Sequence, residues 1–92
     1  MGVVQTGTII VFHGSWMSGL GYLLIKGDDG EFRTLFCDNG PTVRALEDAF
    51  GNVISPAHIV NNEAIEGKRI SYSIDWMGLL EGFTPLEDYD HV

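Results

Sequence analysis

Short runs of alternating apolar and polar residues fill most of this chain, and they predict strands more than helices. Residues 3–12 are β-branched and apolar and read as a first strand, with Gly7 as the site of a bulge or sharp coil. Residues 13–18 read as a loop and residues 21–26 as a second strand, with Tyr22, Leu23, Leu24 and Ile25 nearly all apolar. Gly27-Asp28-Asp29-Gly30 reads as a hairpin turn, because Asp-Gly tolerates positive φ. In residues 31–37 the period is two: Phe32, Thr34 and Phe36 share one face, and Arg33, Leu35 and Cys37 the other.

The period then changes. Val43, Leu46 and Phe50 fall three and four apart, a single apolar stripe that predicts a helix over 42–50. Pro41 suits the first turn with Asn39 or Gly40 near the cap, and Gly51 suits the end. Arg44 and Asp48 are spaced to pair on the outer face. Residues 52–66 allow two readings: a short helix capped by Ser55-Pro56, or irregular chain. Period two returns in 68–76, where Ile70, Tyr72, Ile74 and Trp76 alternate with Ser71, Ser73 and Asp75. Residues 79–86 read as a short last strand.

Three strands, a helix and two strands are the order of an OB fold, a five-stranded Greek-key barrel. The expected fold class is therefore mainly β, an OB-like barrel with one helix between strands three and four. An SH3-like or Sm-like barrel is the alternative, disfavoured by the position of the helix. Twelve glycines fit so many turns. Ninety-two residues make one domain, expected over 1–86, with 87–92 as an acidic tail.

Four motifs resemble the cold-shock domain, an OB-type barrel that stacks single-stranded nucleic acid on aromatic side chains. Gly7-Thr8-Ile9-Ile10-Val11-Phe12 stands where that family has G-x-V-K-W-F, with Ile10 at the lysine and Val11 at the tryptophan. Ser18-Gly19-Leu20-Gly21-Tyr22-Leu23 resembles K-G-F-G-F-I, keeping both glycines and one aromatic. Phe32-Arg33-Thr34-Leu35-Phe36 falls on V-F-V-H-F, and Glu66-Gly67-Lys68-Arg69-Ile70-Ser71-Tyr72 on E-G-x-x-V-x-F. The resemblance implies a nucleic-acid face of Phe12, Tyr22, Arg33, Phe36 and Lys26, with Arg33 stacking through its guanidinium plane.

Charge alters that picture. The formal charge is −8, from five Lys+Arg against thirteen Asp+Glu, and Glu81, Glu87, Asp88 and Asp90 supply half of it. A chain with few cations neutralises few phosphates, so any binding to single strands is expected to be weak. The alternative is an acidic protein-interaction module, self-association included. Its candidate contacts are the repeated Trp-Met pairs, Trp16-Met17 and Trp76-Met77, in the loops that flank an OB binding face. Those tryptophans clamp a ligand or partner on one reading and cover the barrel ends as core on the other.

Other chemistry is thin. Cys37 is the only cysteine, at the end of an apolar strand, and reads as an inert buried thiol rather than a nucleophile paired with His58. His13, His58 and His91 show no ligand spacing, and Gly19-x-Gly21 lacks the third glycine of a dinucleotide fingerprint, with Leu24 in its place. Asp28-Asp29-Gly30-Glu31 reads as a solvated turn rather than a calcium loop. The expectation is a non-enzymatic protein without cofactor or metal. With no apolar run long enough to span a bilayer and no signal peptide, it is expected to be soluble, intracellular and cytoplasmic, with no membrane partner.

Overall fold

A computed structural model describes residues 3–14, 18–57 and 59–86. The elements are β1 (Val3–Gly14), β2 (Leu20–Gly27), β3 (Phe32–Asp38), α1 (Asn39–Phe50), β4 (Arg69–Ile74) and β5 (Leu80–Pro85), with a 3₁₀ turn at Asn62–Ala64. The sheet order is β3-β2-β1-β4-β5, and every neighbouring pair is antiparallel. After three consecutive strands the chain crosses through α1 and places β4 beside β1, which is Greek-key connectivity. The ladder is open between β3 and β5, although Cα atoms of these two edges come within 8 Å of each other.

The bulge in β1 lies at Ile10, not at Gly7: the register to β2 shifts between Ile9 and Val11. That extra residue changes the parity of the strand. Gly7 and Ile9 are buried, and three residues after Ile9 it is Phe12 that turns inward. Gly7 serves close approach instead, since a Cβ there would lie 2.8 Å from the Lys26 carbonyl oxygen.

Two hairpins use one turn design. In Gly27–Gly30 the Gly30 amide donates to the Gly27 carbonyl, and Gly30 has φ 89°. In Asp75–Gly78 the Gly78 amide donates to the Asp75 carbonyl, and Gly78 has φ 84°. A type I turn closed by a left-handed glycine joins strands through three-residue loops. The second turn shortens β4 relative to the expected 68–76, so Trp76 leaves the strand and occupies the turn.

Helix α1 begins at Asn39, three residues before the expected start, because Pro41 lies within the first turn, where a missing N–H costs nothing. Val43 and Leu46 are buried, and Phe50 stacks on Phe83 of β5 with ring centroids 6.5 Å apart. The expected Arg44–Asp48 pair is not formed: the ion pairs among the described residues are Asp29–Arg33 and Asp28–Arg69. The core joins Ile9, Phe12, Leu23, Ile25, Leu35, Leu46, Val53, Ile65, Ile70 and Tyr72.

Of the two readings of residues 52–66 the irregular one holds for the described residues: no helix starts at Ser55-Pro56, and the only regular features are an isolated bridge and the 3₁₀ turn. The Glu47 carboxylate accepts the amides of Asn52, Val53 and Ile54, which fixes the exit from α1. Ile54 bridges Val60, and Ser55 Oγ accepts the Ile59 amide. Asn62 then acts as a one-residue strand partner for Phe12, accepting its amide at 2.7 Å and donating to its carbonyl at 3.1 Å. No helix of the described residues is long and apolar enough to cross a membrane.

Candidate binding surface

Strand alternation sorts β2 and β3 into two faces. Leu23 and Ile25 of β2 and Leu35 and Cys37 of β3 are buried, whereas Tyr22 and Lys26, with Phe32 and Phe36, lie on the outer face. Pairing brings His13, Tyr22 and Phe36 into one cross-strand row. Ring centroids are 5.5 Å apart for His13–Tyr22 and 6.4 Å for Tyr22–Phe36. Phe36 is 57% exposed. Lys26 pairs with Phe32 and holds its ammonium 5.7 Å from that ring, a cation–π contact. Four residues separate the two rows along each strand, about 13 Å.

Two of the five residues expected on a nucleic-acid face are elsewhere. Phe12 is 2% exposed and belongs to the core, because the bulge at Ile10 turned it inward. Arg33 pairs in register with Ile25, on the opposite face from Phe32 and Phe36. It forms two hydrogen bonds to the Asp29 carboxylate, at 3.0 and 2.7 Å. That pairing holds the Asp29 carboxyl well below the usual carboxylate range and raises the guanidinium further. Arg69 is likewise paired with Asp28, at 2.6 Å. Tyr22, Phe36 and Lys26 do share one face, and His13 and Phe32 join them. Period-two alternation pointed to Phe32; His13 depended on the bulge.

Beyond Phe36 the surface drops into a cleft of about 490 Å³, lined by Leu20, Gly21, Phe36, Cys37, Asp38, Asp75, Leu79 and Leu80. One wall is the end of β3 and the start of β2. The other is the β4–β5 hairpin. The Asp75 carboxylate stiffens that hairpin by accepting the Met77 and Leu79 amides, each at 2.9 Å. Trp76 sits on this turn and is 88% exposed, with Met77 beside it also exposed. The Trp76-Met77 turn is therefore surface, not core. Trp16 and Met17, the other expected partner contacts, lie outside the described residues, as do His58 and the tail at 87–92. Leu20, just after the first Trp-Met loop, and Leu79, just after the second, line the same cleft.

One thiol and two carboxylates, Cys37, Asp38 and Asp75, line the cleft. Cys37 is buried, and loss of solvent pushes its thiol pKa up while a hydrogen bond with Thr42 offsets part of the rise. Asp28 and Asp29, the turn carboxylates weighed for calcium, are committed to Arg69 and Arg33. Among the described residues, no group of three or more His, Cys, Asp or Glu side chains is placed to hold a metal ion. Compared with known proteins, the chain matches no family model, no curated protein and no solved structure.

Proposed function

We propose that this chain is a non-enzymatic, OB-like binding module whose ligand is a protein segment held at the β4–β5 hairpin and the cleft beside it. A Greek-key order with β3 and β5 drawn together at an unpaired seam, and a helix between β3 and β4, supports a partly open five-stranded barrel. The observation that carries the function is the apolar surface running from Leu20 and Phe36 across the cleft to Leu79, Met77 and Trp76. Rigid, exposed tryptophan at such a place is what protein contacts use, and solvent-facing apolar patches of this kind mark contact sites.

The test is selection of a displayed peptide library on the wild-type domain, followed by titration of enriched peptides against Trp76→Ala. Peptides that bind the wild type and lose about tenfold or more on Trp76→Ala are expected. Enrichment no greater than background, or ligands indifferent to both Trp76→Ala and Phe36→Ala, refutes the reading.

A second reading is favoured by the His13–Tyr22–Phe36 row and the Lys26–Phe32 pair: stacking of single-stranded nucleic acid on the outer face. Stacking modules combine such rings with a positively charged groove. Lys26 is the one cation among the residues of this face described above, so the protein segment is preferred. Under the second reading, oligo-dT binds at low salt with a shallow salt slope, and Tyr22→Ala or Phe36→Ala costs about 1–3 kcal/mol.

A further inference from the structure

Resting on the protein-partner reading above, we propose that the cleft selects a cationic peptide, with an apolar side chain on its floor and Lys or Arg beside Asp38 and Asp75. The floor is apolar: Leu20, Phe36, Leu79 and Leu80. Among the described residues, its charged lining residues are both acids, and no Lys or Arg lines it. Asp38 stands at the N-cap of α1 but makes no side-chain capping bond, so its carboxylate stays available. Asp75 is oriented by the two turn amides, and both use Oδ1. Oδ2 is thereby directed by a rigid turn and left for a ligand. Glu81 lies next along β5 and shares an adjoining hollow with Asp38, extending the negative rim.

Three of the chain's five Lys and Arg side chains are held away from this rim, and Lys68 lines a separate hollow beside Phe50. Arg33 and Arg69 are committed to Asp29 and Asp28, and Lys26 stands over Phe32 in the row remote from the cleft. Apolar floor and acidic wall together select one ligand chemistry. An uncharged peptide leaves the carboxylates unmatched, an acidic one is repelled, and a polyamine or basic segment without an apolar anchor leaves the floor wet. Charge complementarity of this kind sets specificity and association rate. A volume of about 490 Å³ lies within the range of ordinary ligand sites.

The experiment is fluorescence anisotropy at two ionic strengths with four labelled probes. They are a seven-residue peptide alternating Lys with Leu and Phe, the same peptide with Glu for Lys, the same with Ser for Leu and Phe, and a ten-residue oligo-dT. The Lys/Leu/Phe peptide is expected to bind at least tenfold tighter than the other three. The double variant Asp38→Asn with Asp75→Asn is expected to lose about tenfold, because an asparagine in the turn keeps the Oδ1 acceptor while removing the charge. Asp48→Asn with Glu63→Gln removes equal charge outside the cleft and is expected to bind as the wild type.

If the Glu peptide binds equally well, or the two double variants weaken binding alike, the cationic selectivity is wrong. The protein-partner reading then survives, provided that Phe36→Ala and Trp76→Ala still weaken the apolar peptides. If no peptide binds, or oligo-dT binds tightest, both the inference and the protein-partner reading fall.

Discussion

Asn62 carries a load that its position between a loop and a turn does not advertise. Its side-chain amide closes two hydrogen bonds on the backbone of Phe12, fifty residues away, at 2.7 and 3.1 Å. Phe12 lies just past the bulge, where β1 has left β4, and its ring is in the core. Asn62→Ala therefore removes both partners of a backbone segment with little access to water. At about 0.5–1.5 kcal/mol net for each bond, the loss is about 1–3 kcal/mol. For a domain of this size that lowers Tm by roughly 4–8 °C per kcal/mol. Urea unfolding followed by far-UV circular dichroism measures it. Asn61→Ala is the control, since the Asn61 side chain makes one exposed bond, to the Asn52 carbonyl, and its effect is expected to stay within about 0.5 kcal/mol. Asn62→Asp keeps the acceptor but sets a carboxylate oxygen against the Phe12 carbonyl. It is expected to be as damaging as Ala at neutral pH and to recover relative to wild type as acid restores a proton. Asn62→Ala unfolding within about 0.5 kcal/mol of wild type refutes the idea that this side chain replaces a strand.

The remaining expectations concern the two sides of the sheet and one titrating carboxylate. Phe12→Ala is expected to cost about 3–5 kcal/mol of stability as a core truncation, whereas Phe36→Ala spares the core and acts on ligand binding; equal losses in thermal unfolding would contradict the placement of the two rings. Trp76→Ala is expected to leave Tm nearly unchanged, and iodide quenching of the Trp16→Phe protein, whose emission then comes from Trp76, should approach that of free tryptophan; a large fall in Tm would make this ring packing. Amides of Ile54, Val53 and Asn52 lower the Glu47 carboxyl below its ordinary 4.5. Its contribution is thus present above that value and is lost as pH falls through the folded-state value. Glu47→Gln should flatten acid unfolding in that window, and an unchanged pH profile would rule the contribution out. Gly14→Ala places a Cβ against the enclosed Asn39 side chain and is expected to destabilise by about 1–3 kcal/mol, measured by urea unfolding; wild-type stability would show that Asn39 moves freely.

Local chemistry was legible in the sequence wherever a few adjacent residues decide the conformation. The Val43-Leu46-Phe50 stripe, the division of Phe32 and Phe36 from Leu35 and Cys37, and the Asp-Gly turn at 27–30 depend on side-chain period and on glycine's tolerance of positive φ. The Asp75-Trp76-Met77-Gly78 turn carried a similar signature, but the alternation running through Ile74 concealed it and extended the strand to Trp76. The tertiary structure alone decided the rest. A single bulge residue, Ile10, reversed the parity of β1 and moved Phe12 from the candidate face into the core while setting His13 beside Tyr22. Arg33 was positioned by a carboxylate in the preceding turn, and Asn62 by a backbone gap fifty residues earlier. The cleft joining Leu20, Phe36 and Leu79 exists only where the edges β3 and β5 meet. Propensity and period act over a turn or a strand, whereas burial and the pairing of distant edges are settled when the whole sheet packs.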